Sequence, residues 1–169
     1  MDVSETQAEK CVAVEKVRES FPEYFRDAST FRGEQTLVIA REGILPVLQL
    51  LRDDPQLRFD FLADLTAVDF LPREPRFDVV YHLKSLSRNV RLRVKAGVPE
   101  DDAVIESAVP LWPGAEWPER EVFDLFGISF RNHPGLRRIL LPDDWEGHPL
   151  RKDYPMGKVA VNFTKRRAR

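Results

Sequence analysis

Apolar residues recur along the first half of the chain at the spacing of helices that are buried on one side. Val14, Val17 and Phe21 form a stripe that predicts a helix from about Glu5 to Ser20, with Pro22 as its stop. A second helix is better defined and ends at Pro55. Its apolar residues follow the i, i+3, i+4, i+7 pattern at Ile44, Val47, Leu48 and Leu51. We expect this helix to bury one face against a sheet.

Three later segments alternate apolar and polar residues, which is the period of strands with one buried face. Their apolar residues are Phe59, Phe61, Ala63, Leu65 and Ala67 in the first, Phe77, Val79, Tyr81 and Leu83 in the second, and Val90, Leu92, Val94 and Ala96 in the third. An earlier strand pair is predicted to turn at Gly33, between residues 31–32 and 37–40. The last two strands can form a hairpin around Ser87 and Arg88, with Leu83 opposite Leu92.

The register of this hairpin also places like charges together on its polar face. The facing pairs are Lys84 with Arg91 and His82 with Arg93. Like charges directly opposite each other are mildly destabilising, so an anion is expected nearby. We favour Asp60 or Asp64 on the neighbouring strand as that anion, and an acidic partner protein is the alternative.

Two helices are predicted between the sheet and the proline-rich end of the chain. An aspartate at 101–102 can cap a short helix, which would carry Val104, Ile105 and Ala108. The second should run from about Pro118 to Gly127, a natural terminator. Its core-facing residues would be Val122, Leu125 and Phe126. Arg120 and Asp124 stand one turn apart on this helix and can form an ion pair.

The stretch from Glu119 to Pro155 contains four prolines, at 134, 142, 149 and 155. Proline removes a backbone donor and fixes φ, so the part beyond the helix should be extended and should need another surface to lie on. We therefore predict an α+β fold with a mostly antiparallel sheet of about four to five strands packed with helices. Residues 1–130 would form this single domain, and 131–169 an extended partner-binding arm with a basic tail.

The same stretch resembles the signature of the C subunit of the proton-pumping NADH:quinone oxidoreductase, respiratory complex I. The matching positions are Glu119, Arg120, Glu121, Asp124, Leu125, Phe126, His133, Arg137, Ile139 and Leu140. The run from Gly147 to Pro155 also resembles the family, whereas Gly135 departs from it at a position where relatives often carry an acid. Two linked motifs at the correct spacing make this resemblance specific.

The resemblance implies a non-catalytic structural and assembly subunit of the peripheral arm of a complex that oxidises NADH, reduces quinone and moves protons. It implies the D subunit as the main partner, which is fused to the C subunit in some bacteria, together with subunits B and I. Iron-sulfur clusters and flavin would lie in partner subunits. The chain would lie at the cytoplasmic face of the bacterial inner membrane, held there only through the complex. The expected motif and interface residues are Glu119, Arg120, Glu121, Asp124, His133, Arg137, Arg138, Trp145, His148, Arg151, Asp153 and Tyr154.

Composition agrees with a single soluble domain that carries no cofactor of its own. The chain has 169 residues, of which 43% are hydrophobic, and no apolar run approaches the roughly 18 to 20 residues that span a bilayer. The one cysteine, Cys11, excludes an internal disulfide framework and a four-cysteine iron-sulfur cluster. The eight glycines form neither a GxGxxG pattern nor a phosphate loop, so no nucleotide or flavin site is expected.

Two clusters could carry other chemistry. The first, Glu119, Arg120, Glu121 and Asp124, could supply acid-base catalysis, but we favour an ion-pair network that fixes the helix. The second cluster, His133, Asp143, Asp144, Glu146 and His148, resembles metal ligands without an HExxH-type spacing. We expect it to make polar contacts with a partner, with Trp145 as an apolar anchor.

The uneven distribution of charge along the chain is compatible with one more kind of binding partner. From Pro149 onward the chain has seven Lys or Arg and one acid, a net charge of +6 that leaves −8 on the rest. A basic tail on an acidic body suits an acidic partner, nucleic acid or anionic lipid. Only Tyr154 and Phe163 could stack on bases, so we expect no nucleic acid. The alternatives are a homologous subunit of a hydrogenase-type or other-donor complex, a metal-dependent hydrolase and a nucleic-acid-binding module.

Overall fold

The structure is a computed structural model that describes residues 3–155, with side chains from Val12 onward. Within this range the chain forms three helices, seven strands and two short 3-10 turns. The elements are α1 (Val3–Ser20), β1 (Phe25–Phe31), β2 (Glu34–Ala40), α2 (Ile44–Asp53), β3 (Phe61–Asp69), β4 (Phe77–Ser85), β5 (Val90–Val98), β6 (Val104–Glu106), α3 (Glu116–Phe126) and β7 (Ser129–Arg131). The predicted α1, α2 and α3 are confirmed. The basic tail after Pro155 lies outside the described residues.

Five strands form the main sheet in the order β1, β2, β5, β4, β3. Neighbours are antiparallel except for β2 and β5, which run parallel. The α+β class and the five strands confirm the prediction, but the sheet is mixed. The chain leaves β2 through α2, makes the β3–β4 hairpin, and returns along β5 beside β2 in the same direction, so the parallel pair is a crossover that local alternation does not reveal.

The predicted β4–β5 register is confirmed, with Leu83 opposite Leu92, Lys84 opposite Arg91 and His82 opposite Arg93. The anion beside them is partly as expected, because Asp64 on β3 lies opposite His82. Glu34 on β2, which was not predicted, pairs with Arg93 at 2.9 Å. The core role predicted for Phe61 is wrong. A bulge between Leu62 and Asp64 interrupts the alternation, and Phe61 is 46% exposed.

The hydrophobic core lies between the helices and one face of the sheet. All four predicted residues of α2 are fully buried, and Ala13 and Val17 of α1 join the same cluster. From α3, Val122 and Phe126 complete it. The opposite face of the sheet carries polar side chains such as Arg91, so the sheet has one core face and one open face.

The short helix predicted around Val104 is wrong, because Val104–Glu106 is strand β6. It pairs in parallel with β7, which follows α3 in the chain. The pairing supplies backbone partners at both ends, from Ser129 N to Ala103 O and from Ser107 N to Arg131 O. This small second sheet holds both ends of α3 close to the core.

Candidate functional site

Helix α3 contains the charged motif, and its geometry decides which motif residues reach solvent. Glu119, Arg120 and Asp124 are buried, whereas Glu121 is exposed. The helix ends at Gly127, whose φ of 73° favours glycine. A Cβ at this position would also lie 2.5 Å from Nε2 of His148. The following segment therefore packs directly on the end of α3.

Glu119 is fully buried and ties α3 to the loop after β6. Its Oε2 accepts a hydrogen bond from the Ser107 hydroxyl, and its Oε1 accepts one from Ala108 N–H, both at 2.6 Å. Burial raises the pKa of Glu119 to about 7, although the two hydrogen bonds favour the ionised form. Each carboxylate oxygen therefore has a hydrogen-bond donor within the chain, and the group holds α3 to the loop after β6.

Asp124 is also fully buried, and it binds the backbone of the segment that follows β7. Its Oδ2 accepts hydrogen bonds from three successive amides, those of residues 139, 140 and 141, at 2.8 to 3.0 Å. Its Oδ1 pairs with Arg138 at 2.6 Å. Burial opposes ionisation, but the amide hydrogen bonds and Arg138 outweigh it and lower the pKa of Asp124 to about 2.

The predicted ion pair between Arg120 and Asp124 is wrong, since Asp124 pairs with Arg138 instead. Arg120 points at the same segment and donates to the carbonyl oxygens of Arg137 and Arg138, at 3.3 and 3.1 Å. Its guanidinium lies 4.8 Å from the ring centroid of Trp117. The two residues share a target, the loop at 137–141, rather than each other.

Residues 142–155 continue along the domain and are fixed by further contacts with α3. Nδ1 of His148 donates to Asp124 O at 2.8 Å, and Nε of Arg151 donates to Phe126 O at 2.6 Å. Leu150 N–H donates to Leu125 O. Burial lowers the pKa of His148 and favours its neutral ring. The segment that was predicted to need another surface therefore lies on its own domain, where backbone carbonyls of α3 hold it.

Arg76 forms a second anchor that the sequence analysis missed. Its side chain is 1% exposed and binds three carboxylates: Asp69 at 2.7 Å, Glu100 at 2.6 Å and Asp153 at 2.5 Å. Asp69 also accepts from Lys152 N–H, and Arg76 holds the pKa of Asp69 well below its ordinary value. The only signal in the sequence was an acid at the end of one strand and a base at the start of the next.

The other predicted site residues lie around these anchors. Arg137 is exposed, and Asp153 is exposed apart from its pair with Arg76. His133 accepts from Gly135 N–H at Nδ1 and donates from Nε2 to Glu116 O. Tyr154 donates to Glu146 O. Trp145 is half-buried, and its Nε1 is a buried donor without a protein acceptor among the residues that the structure describes.

Metal-ligating side chains are spread apart by this arrangement. His133 and His148, the two histidines of the predicted cluster, both bond to backbone groups. Within residues 3–155 no group of three or more His, Cys, Asp or Glu side chains is placed to hold a metal ion. No helix in this range is long and apolar enough to cross a membrane. The charged residues of this site therefore attach one segment, residues 137–155, to α3 and to Arg76.

Comparison with known proteins identifies the motif. Residues 37–160 match the family described as respiratory-chain NADH dehydrogenase, 30 kDa subunit. The chain belongs to this family. It is 54% identical over 149 residues to the C subunit of the NADH-quinone oxidoreductase of Citrifermentans bemidjiense, covering 88% of this chain and 91% of that one. The same subunit of a Roseiflexus species is 49% identical over 156 residues, with 92% and 90% covered. The resemblance inferred from residues 119–155 is thereby confirmed.

Solved structures agree with this membership of the 30 kDa-subunit family. A trypsin-resistant fragment of Nqo5, residues 1–134 of that protein, superposes with a TM-score of 0.60 at 34% identity. The superposition covers 73% of this chain and 99% of the fragment. A chain of the archaeal membrane-bound sulfane sulfur reductase superposes with a TM-score of 0.70 at 27% identity, covering 85% and 84%.

Proposed function

We propose that this chain is a non-catalytic structural subunit in the peripheral arm of a proton-pumping NADH:quinone oxidoreductase. Membership of the family supports a place in this complex, and one observation supports the structural role. The buried charges of the family motif, Glu119, Arg120 and Asp124, all bond to groups of this chain itself. The motif then builds a surface rather than a reaction centre, and the D subunit is the main partner that binds this surface.

The most plausible catalytic group in the motif is Glu119, because a pKa near 7 suits general acid-base work. A catalytic carboxyl needs a free oxygen and access to substrate. Glu119 is fully buried and both of its oxygens accept short internal hydrogen bonds. Electron transfer would therefore use iron-sulfur clusters and flavin held by partner subunits.

The docking surface that we propose lies on the outer side of α3 and of the segment fastened to it. Three large apolar side chains of these segments are exposed: Trp117 by 58%, Leu140 by 61% and Leu150 by 51%. All three come from the α3 region or from the loop that Asp124 and Leu125 hold. Exposed apolar groups next to fixed charges are typical of interfaces, where a few anchors supply most of the binding energy.

We retain residues 1–130 as a folded domain and 131–169 as its partner-binding segment. The trypsin-resistant Nqo5 fragment, which ends at residue 134 of that protein, supports a stable unit of this extent. In this chain the inner side of the segment bonds to α3 and Arg76, so its outer side is the part available to subunits D, B and I. Attachment to the cytoplasmic face of the inner membrane would then be through these partners.

The test is co-purification of the complex with a tagged full-length chain. In Leu140→Gln/Leu150→Gln the anchors lose their apolar ends, and we expect association with the D subunit to weaken by about thirtyfold, since the two anchors together contribute roughly 2 kcal/mol. Phe31→Gln is the matched control, because Phe31 is 72% exposed on the far edge of the sheet. The proposal fails if the wild-type chain does not recover the D subunit. Equal recovery of that partner with the double variant and the control would refute this docking surface.

A second candidate is the homologous subunit of a membrane-bound complex fed by another donor. The superposition on the archaeal sulfane sulfur reductase complex supports it, because the same fold occurs there. The higher identity to the C subunit of the NADH complex, 54% against 27%, favours the first candidate. NADH oxidation by the co-purified complex would decide for the first candidate, and its absence in an otherwise intact complex would decide for the second.

A further inference from the structure

The open face of the main sheet carries a basic groove that the contacts of α3 do not use. The groove holds about 480 Å³ and extends from β3 across β4 and β5 to the start of β2, near the β4–β5 turn. Lys84 and Arg91 face each other across it at one cross-strand pair. Phe61, pushed outward by the bulge, is 46% exposed beside Lys84 on the next strand. We call Phe61, Lys84 and Arg91 the groove triad.

Two of the anions near the groove triad, Asp60 and Glu34, already have other partners. Asp60 accepts a hydrogen bond from Leu86 N–H at 3.0 Å, which ties the residue before β3 to the β4–β5 turn. Glu34 pairs with Arg93, and Asp64 lies opposite His82. Within the described residues neither Lys84 nor Arg91 has a carboxylate at salt-bridge distance. Lys84 and Arg91 therefore face each other without a direct ion pair in the isolated chain, although Glu34 and Asp64 line the same groove.

We infer that the groove triad binds an acidic segment that carries at least one apolar side chain, supplied by another protein of the complex. This inference rests on the proposed function for the presence of that complex, but not on the α3 surface. A carboxylate between Lys84 and Arg91 would remove their repulsion and gain two charge-assisted hydrogen bonds. An adjoining apolar side chain would cover Phe61, and aromatic residues with arginine are enriched at protein interfaces.

The C-terminal tail of this chain is not a suitable occupant. Residues 156–169 contain five Lys or Arg and no acid, so charge repulsion excludes this tail from the groove. Nucleic acid fits poorly, because the groove triad has a single aromatic residue and continuous strand binding uses several stacking platforms. An acidic protein segment satisfies both the charge and the apolar neighbour.

Chemical cross-linking of the intact complex tests the contact directly. A water-soluble carbodiimide joins a lysine amine to a carboxylate only when the two are in contact. We expect Lys84 to be joined to an Asp or Glu of another protein of the complex. A link from Lys84 only to carboxylates of this chain, whether within one copy or between two copies, would overturn the inference. So would an unlinked Lys84.

Charge reversal provides the second measurement, made by adding full-length variants to complex that lacks this chain. Arg91→Glu should weaken incorporation by about tenfold or more at roughly 0.15 M salt, because a repelled carboxylate replaces an ion pair. Arg58→Glu is the matched control, since Arg58 is exposed in the turn between α2 and β3 and lies outside the groove. Equal incorporation of both variants sinks the inference but leaves the proposed function standing. Failure of the wild-type chain to incorporate would refute the proposed function itself.

Discussion

Replacing Asp124 with asparagine should release the segment that follows β7 while changing little in the volume of the side chain. One oxygen of Asp124 accepts three amides and the other pairs with Arg138. In Asp124→Asn the amide oxygen can keep the three N–H donors. Its NH₂ group must then face Nη1 of Arg138, which lies 2.6 Å from Oδ1 in the wild type. Two donors would point at each other in a buried site.

The expected cost follows from the pKa. A carboxyl group whose pKa falls from 3.8 to about 2 on folding contributes about 2 to 3 kcal/mol at neutral pH. Losing a buried charged partner gives a similar or slightly larger figure. Since the lowered pKa favours the ionised form, this stability is fully present above pH 3.8 and is lost as pH falls towards 2. The difference between wild type and variant should shrink over the same interval.

Urea unfolding from about pH 7 down to about pH 2 measures the free energy, and amide hydrogen exchange at residues 139–141 reports the site. Asp143→Asn is the matched control, because Asp143 is exposed and forms no ion pair within the described residues. We expect faster exchange at these three amides only in Asp124→Asn. Free energies of unfolding that agree within about 0.5 kcal/mol for the two variants would show that the carboxylate does not hold the loop.

Three further outcomes are expected. Arg76→Met should lower the free energy of urea unfolding by about 3 to 5 kcal/mol, because buried Asp69 loses its cation; a loss matching exposed Arg58→Met would contradict this. Arg120→Ala should cost about 2 to 4 kcal/mol in thermal unfolding and reduce assembly by leaving two carbonyls unpaired. A stable, assembled complex without turnover would instead indicate chemistry at Arg120. Glu119→Gln should become more stable relative to wild type as pH rises from 4.5 to about 7. Folding raises the pKa of Glu119, so the wild type loses stability as this group ionises. A difference in unfolding free energy that stays constant over this pH range would mean that folding does not shift the pKa of Glu119.

The elements that were predictable from the sequence are those whose signals lie within one segment. Four apolar residues at helical spacing define α2, and Gly127 marks the end of α3. Alternation together with the turn around Ser87 and Arg88 predicted the β4–β5 register, including the pairing of Lys84 with Arg91. In each case the residues that carry the pattern also make the contacts, so one short stretch contains the information.

The features that were missed depend on distant partners. Strand β6 is three residues long and exists because β7 pairs with it after α3 has intervened, so a capping aspartate and apolar residues resembled a helix. The bulge that exposes Phe61 interrupts the alternation of buried and exposed side chains in the structure, but apolar residues still stand at every second position of the sequence through it. Asp124 looked like a partner for Arg120 one turn away, but its ligands are backbone amides and Arg138 from beyond β7. Backbone amides are present at almost every residue, so the sequence does not indicate which of them a carboxylate will bind.

This last feature sets how the segment can change over evolution. Asp124 binds backbone amides, so these hydrogen bonds do not depend on which side chains stand at positions 139, 140 and 141. Substitutions of these side chains would therefore leave the three hydrogen bonds in place, and the exposed Leu140 can serve a partner surface without disturbing the loop. Proline alone is barred, since it would remove a donor from the set. The chain places Pro142 immediately after the last of the three amides.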